Sequence, residues 1–280
     1  MKKKIWVHLI FLVIPVLSIF LGACRNLIDD DTYSKEYKKA KTVVTAETLT
    51  EKLVDVCEIV YNDDNTTSLK WYRGEDGIYL FFTPDGDIPY VEPEYFTNVY
   101  FTNHINVTKE EYVYKLTLKS YPDCYLTIDF SSGEVYCSNW DIFHTCFSSG
   151  MVTCTDILCD STFIHRFPIS NIPGANASGS INLNDYNIPI KYEAGYGFIP
   201  VQTLQMLINP FWAPFMYNGK YGFVDKQGAY SDSKEYCSYA ANPKTSWSEE
   251  FGEYSYNHLC LSMDMYYGRK DYLGITDFNS

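Results

Sequence analysis

Apolar and polar positions alternate along much of this chain, and the period of the alternation changes from segment to segment. Residues 68–73, 78–83, 112–120, 125–130 and 134–138 are strand-like runs, rich in apolar and aromatic residues. Gly74-Glu75-Asp76-Gly77, Asp85-Gly86-Asp87 and Ser131-Ser132-Gly133 punctuate them as turns. Upstream, 46–61 carries Leu49, Leu53, Val56 and Val60 at helical spacing, with Thr45 as the expected cap. Residues 62–67 are a turn-rich break, and 145–180, rich in Ser, Thr, Asn, Cys and Gly, predict a long loop or boundary. Alternation resumes with Asn182-Leu183-Asn184, a strand over 188–192, a Glu193-Ala194-Gly195 turn and a strand over 196–199. A short helix over 202–208 ends at Asn209-Pro210.

The last element has the clearest helical pattern. Ser246-Trp247-Ser248-Glu249 fits a capping box. Phe251, Tyr254, His258, Leu261 and Met265 then share one face, and Gly268 supplies the stop. His258 on that stripe is expected to pack, not to ligate. A faint repeat joins two places: Ile88-Pro89-Tyr90-Val91 precedes a helix from Pro93, and Ile199-Pro200-Val201 precedes the helix of Leu204 and Leu207. The expected class is α+β: antiparallel β-sheets with short helices and a longer C-terminal helix. It divides into a β-rich segment at 46–165 and a second α+β segment at 181–280.

The first 24 residues follow a different pattern. Lys2, Lys3 and Lys4 precede an apolar run from 5 to 20, broken only by His8, Pro15 and Ser18, and then Leu21-Gly22-Ala23-Cys24. Basic, apolar and small segments in that order read as a secretory signal, and the run is short for a membrane span. The ending resembles the bacterial lipobox, which implies a signal peptide over 1–23 and lipid on Cys24. Two or more acyl chains give stable anchoring. The alternative, an uncleaved N-terminal anchor, also puts the folded part outside the cytoplasm on a membrane surface. Residues 24–45 are polar and charged and read as a tether.

Loss of three lysines and no acidic residue takes the net charge from −13 to −16. That sign repels phosphate backbones and argues against nucleic acid as a partner. The 26 Tyr and 17 Phe supply a core and favour strands. Beyond Cys24 there are Cys57, Cys124, Cys137, Cys146, Cys154, Cys159, Cys237 and Cys260, an even number that permits disulfides or serves as small buried apolar residues. A turn at Ser132-Gly133 puts Cys137 opposite Ile128 and Cys124 opposite Asp141, so those two are not direct partners. Cys137, Cys146, Cys154 and Cys159 lack zinc spacing even with His144 or His165 nearby. Asp85-Gly86-Asp87 lacks the further oxygens of a calcium loop.

Catalytic motifs are nearly absent. There is no Gly-x-Ser-x-Gly, no His-Glu-x-x-His and no phosphate loop, and Gly195-Tyr196-Gly197 lacks a third glycine. Ser231-Asp232-Ser233-Lys234 and Lys244-Thr245-Ser246 echo penicillin-binding motifs but lie too close together in sequence. No carboxylate pair is marked as a glycosidase dyad. No catalytic residue, cofactor or metal is assigned. Trp71, Trp140, Trp212 and Trp247 are candidates for sugar stacking, each beside an apolar run that also suits the core.

Gly197-Phe198-Ile199-Pro200-Val201-Gln202-Thr203-Leu204-Gln205-Met206-Leu207, with Tyr217-Asn218-Gly219-Lys220, forms one anchor of a resemblance. Phe251-Gly252-Glu253-Tyr254-Ser255-Tyr256-Asn257-His258-Leu259-Cys260-Leu261 and Asp264-Met265-Tyr266-Tyr267-Gly268 form the other. Together they resemble the N-terminal region of extracytoplasmic serine peptidases of the C-terminal processing (tail-specific) family. The resemblance implies a non-catalytic module that holds the peptidase near the membrane or positions a peptide or protein substrate. It also implies that the family's Ser and Lys dyad belongs to a domain after Ser280. The strand–Ile-Pro–helix units resemble, more weakly, repeats of bacterial surface proteins related to the N-terminal domain of copper amine oxidases. That likeness implies a surface binding protein for peptide or glycan. A hydrolase of unrecognised type is the third reading.

Overall fold

The first apolar stretch does not keep its helical spacing. In a computed structural model, which describes residues 46, 48–61, 67–101, 104–145, 178–208, 215–225, 246–266 and 275–278, it forms two strands, β1 (Thr50–Val54) and β2 (Val56–Tyr61). The expected helix over 46–61 is therefore corrected. Val54, Val56, Cys57 and Glu58 are all buried, and Asp55 divides the strands. β2 packs on both faces, Val56 in the main core and Cys57 in a smaller cluster on the other side, so its apolar residues lose their alternation. The β-branched Thr50, Val54, Val56, Ile59 and Val60 favour the extended form.

The chain continues through β3 (Thr67–Tyr72), β4 (Ile78–Phe82) and β5 (Tyr90–Val91) to α1 (Pro93–Tyr100). A meander follows: β6 (Ile105–Glu110), β7 (Val113–Leu118), β8 (Tyr121–Asp129) and β9 (Glu134–Cys137). Then come α2 (Trp140–Thr145), β10 (Gly179–Asn182), β11 (Lys191–Glu193), β12 (Tyr196–Pro200) and α3 (Val201–Ile208). β13 (Phe215–Tyr217), β14 (Gly222–Asp225) and α4 (Glu249–Tyr266) complete the described elements. The protein is α+β, with antiparallel sheets, short helices and a longer C-terminal helix. The pair β14–β2 alone runs parallel among the described strands.

Three sheets form, in the orders β1-β4-β5-β12-β11, β10-β9-β8-β7-β6 and β13-β14-β2-β3. Segments 46–165 and 181–280 each contribute strands to every sheet, and one apolar core runs through all three. The two Ile-Pro units meet: Ile199 pairs with Val91, Pro200 with Tyr90, and the Val201 N–H donates to the Pro89 carbonyl at 2.8 Å. A helix leaves each unit directly afterwards, so the repeat reads out as two strand–helix turns set back to back. On the far face of the four-stranded sheet, Cys57 and Phe223 centre a smaller cluster.

The β8–β9 register differs from the expectation. Cys137 lies opposite Leu126, and Ile128 opposite Val135. Asp129 Oδ1 accepts from the Ser131 N–H and hydroxyl, the Gly133 N–H donates to the Asp129 carbonyl, and Gly133 takes φ +76°. The turn is thus centred one residue earlier than expected. That moves every partner by two and leaves the faces unchanged. Cys124 and Cys137 are not opposite each other in the ladder, and both are buried thiols, as are Cys57 and Cys260.

α4 buries Tyr254, Leu261 and Met265, with Phe251 and His258 half-buried on the same face. Each fully buried apolar side chain of this size contributes about 1.5–3 kcal/mol. Its cap lies two residues beyond the expected capping box: Ser248 Oγ, not Ser246, accepts from the Phe251 N–H at 3.2 Å. Asp264, buried near its end, accepts from the Tyr186 hydroxyl at 2.8 Å and from the Phe278 N–H at 3.1 Å. No helix among the described residues is long and apolar enough to cross a membrane.

Candidate functional site

An open groove of about 270 Å³ lies where β1, the terminal strand of its sheet, approaches the β13–β14 hairpin. Three separate stretches build it: Thr50 and Lys52 from β1, Phe82, Thr83, Pro84, Gly86 and Asp87 from the end of β4 and its loop, and Tyr217 and Gly219 from the hairpin. Thr50 pairs with Phe82 across the β1–β4 ladder, which sets the rim. Thr50 and Lys52 are two apart on a strand, so both project from one face.

Lys52 is the chemical centre of the groove. Its Nζ lies 5.7 Å from the Phe82 ring centroid and 5.8 Å from that of Tyr217. The two rings are tilted at 48°, with centroids 5.6 Å apart. The ammonium donates to the Tyr217 hydroxyl at 3.1 Å. Contacts of a cation with exposed rings contribute about 0.5–1 kcal/mol each, enough to fix where the ammonium sits.

Each wall has a local cause. On one side, the Ser248 N–H donates to Asp87 Oδ2 at 2.7 Å and Thr83 Oγ1 donates to Glu250 at 3.5 Å, so the start of α4 ties down the 83–87 loop. A Cβ on Gly86 would stand 1.8 Å from Thr83 Oγ1, which is why glycine belongs there. On the other side, Asn218 Oδ1 accepts from the Lys220 and Tyr221 N–H groups at 3.0 and 2.8 Å, and Gly219 takes φ +91°. Among the described residues the lining offers one cation, one carboxylate, two threonine hydroxyls and two rings, and no histidine, cysteine or serine. These are groups that can hold a ligand by charge, hydrogen bond and ring contact.

A buried carboxylate lies elsewhere in the core. Glu92 is 2% exposed; its Oε2 caps α1 by accepting the Tyr95 N–H at 2.6 Å, while Oε1 meets no donor among the described residues. Burial raises its pKa, against the opposing pull of the Tyr95 N–H and the Tyr114 hydroxyl. Tyr114 in turn accepts the Gly197 N–H at 3.1 Å. Set beside Tyr95 and Tyr114, Glu92 serves the α1 cap.

The residues singled out from sequence are scattered. Cys24 lies outside the described residues, as do Trp212, His165, Cys146, Cys154, Cys159, Cys237 and the Ser231–Lys234 and Lys244-Thr245 stretches. Trp140 is buried in the core, with Nε1 donating to the Gly179 carbonyl. Trp71 is half-buried edge-on against Tyr221, and Trp247 stacks on Phe251 at 4.2 Å. These three serve packing. His258 packs against Tyr254, and burial holds its pKa below the ordinary value. Asp87 anchors the α4 N-terminus, and among the described residues no three His, Cys, Asp or Glu side chains gather into a metal-binding group. Lys52 was hidden because its segment carries a helical spacing; of the turns read from sequence, Asp85-Gly86-Asp87 is the one that borders the groove. Compared with protein-family models, with characterised proteins and with solved structures, the chain matches none.

Proposed function

We propose that this chain is a membrane-anchored, extracytoplasmic binding module that holds a peptide or protein segment and breaks no bond itself. The groove carries the reading: Lys52 is fixed over Phe82 and Tyr217 with threonine hydroxyls at the rim, a lining suited to holding a ligand. The leader ending in Cys24 supports a lipid anchor and a place outside the cytoplasm. The resemblance carried by 197–207 and 251–268 supplies the context of an accessory to a C-terminal processing serine peptidase, placing substrate near the membrane.

The test has two parts. The full chain made in a lipoprotein-processing bacterium is expected to partition into detergent, and Cys24→Ala to release it to the aqueous phase. Residues 24–280 are expected to bind fluorescein-labelled unfolded casein by anisotropy without cleaving it. Hydrolysis of the casein, or a Cys24→Ala protein that stays membrane-bound, overturns the corresponding half of the proposal.

A further inference from the structure

The groove is equipped to sort its ligands by charge. We infer that it takes an extended acidic peptide, with a Glu or Asp carboxylate on Lys52 Nζ, the stem of that residue against Phe82 and Tyr217, and its backbone along the outer edge of β1. This rests on the binding-module reading and narrows it to a substrate class.

Three observations carry it. The Lys52 ammonium has three N–H donors; one goes to the Tyr217 hydroxyl, and among the described residues it meets no carboxylate. Asp87, the one carboxylate in the lining among the described residues, directs Oδ2 to the Ser248 N–H. In a chain of net charge −13, the groove thus offers an ammonium with donors to spare beside two rings. A carboxylate on a short aliphatic stem complements both features.

Size gives the second limit. About 270 Å³ falls just below the usual range for drug-sized ligands, so the groove holds one or two side chains and leaves the rest of a ligand outside. The third observation concerns what lies outside. β1 ends its sheet, and Thr50, Glu51 and Lys52 are exposed along it. A terminal strand presents backbone N–H and C=O groups at strand spacing, which an extended peptide satisfies by adding to the edge. A sugar carries no matching ladder, so the strand edge favours peptide over carboxylated glycan.

The test uses residues 24–280 and three fluorescein-labelled hexapeptides in which Val alternates with Glu, Gln or Lys. Anisotropy is expected to show the Glu peptide binding tighter than the Gln peptide by roughly five-fold, the upper end for one exposed ion pair. Lys52→Met is expected to erase that difference, and Lys52→Glu to reverse it in favour of the Lys peptide. Lys52 is exposed, so both variants are expected to melt within a few degrees of the parent. Glu and Gln peptides that bind alike, or a preference unmoved by Lys52→Glu, overturn this inference and leave the binding module standing. Failure to bind any of the three overturns both. Lys52-dependent binding of oligogalacturonate without peptide binding replaces the peptide with an acidic glycan.

Discussion

Gly197→Ala probes the place where β12 meets the β6–β10 meander. The backbone at Gly197 is not in the left-handed region, so alanine meets no conformational barrier there. On the unfolded side, the change favours folding by about 0.4–1 kcal/mol. The opposing effect is steric. An added Cβ would stand 2.5 Å from Phe130 Cδ2 and Cε2 and 2.7 Å from Cζ. Ordinary carbon contact begins near 3.5 Å, so the ring must retreat by about 1 Å. Behind it stands Tyr114, edge-on at 5.3 Å and fully buried, whose hydroxyl holds the Gly197 N–H. The ring has nowhere cheap to go. Overpacking of this kind costs about 1–3 kcal/mol, and a rigid neighbour puts this site at the upper end. The net expectation is a loss of about 2 kcal/mol, or roughly 4–8 °C in Tm for a domain of this size. Urea denaturation and thermal melts of the Ala variant give both numbers. Phe130→Leu in the same background makes room, and the double variant is expected to recover at least about 1 kcal/mol relative to additivity. A loss below about 0.5 kcal/mol, or strict additivity of the pair, refutes the steric account.

Glu92→Gln keeps the acceptor for the Tyr95 N–H and removes the buried charge. Because burial raises the Glu92 pKa above 4.5, the native state binds the proton more tightly than the unfolded chain, and wild-type stability attributable to this group falls as pH rises from about 4.5 through the raised folded value. The Gln variant is therefore expected to gain on wild type between pH 4.5 and 7.5 in urea denaturation; an equal difference at both values contradicts this. Asp264→Ala removes acceptors for the Tyr186 hydroxyl and the Phe278 N–H and is expected to cost about 2 kcal/mol, with faster hydrogen exchange at Phe278. Unchanged exchange there would mean that Asp264 does not hold 275–278. Cys124 and Cys137 sit diagonally across β8 and β9, with their side chains in hydrogen-bond contact as thiols and no bond between the sulfurs. Iodoacetamide added after denaturation without reductant is expected to label both, and a linked peptide pair in the mass spectrum would refute it.

The parts of this fold that are legible in the sequence are those buried on one side. β7, β8, β9 and α4 each show one face to the core and the other to solvent, so Leu116 and Tyr114, or Leu261 and Met265, print a period. β2 is covered on both faces, and Val54 to Glu58 print none. Leu49, Leu53, Val56 and Val60 then mimic a helix by accident of spacing. Register is harder than element type, because it depends on which residue centres a turn. At Ser131-Ser132 that was decided by the Asp129 carboxylate, a side-chain contact that composition does not order.

The groove lies further still from what a sequence displays. Its three pieces are separated by some thirty and then about 130 positions, and none has an unusual composition. What brings them together is the passage of one chain from β1 into β2 through Asp55. Asp55 accepts the Gly222 N–H at 2.9 Å, which aligns β14 with β2 and swings the β13–β14 turn back beside β1. Lys52 therefore owes its place to a switch of sheets three residues downstream. The same switch leaves β1 as a terminal strand with its first residues exposed, so the cation and the open edge have one structural origin. A substitution that straightens the chain at Asp55 is expected to remove both at once. Thr50→Ala, which alters only the rim, is expected to leave the charge preference of bound hexapeptides intact. If Thr50→Ala abolished that preference, the recognition would lie in the threonine rim instead of the ammonium.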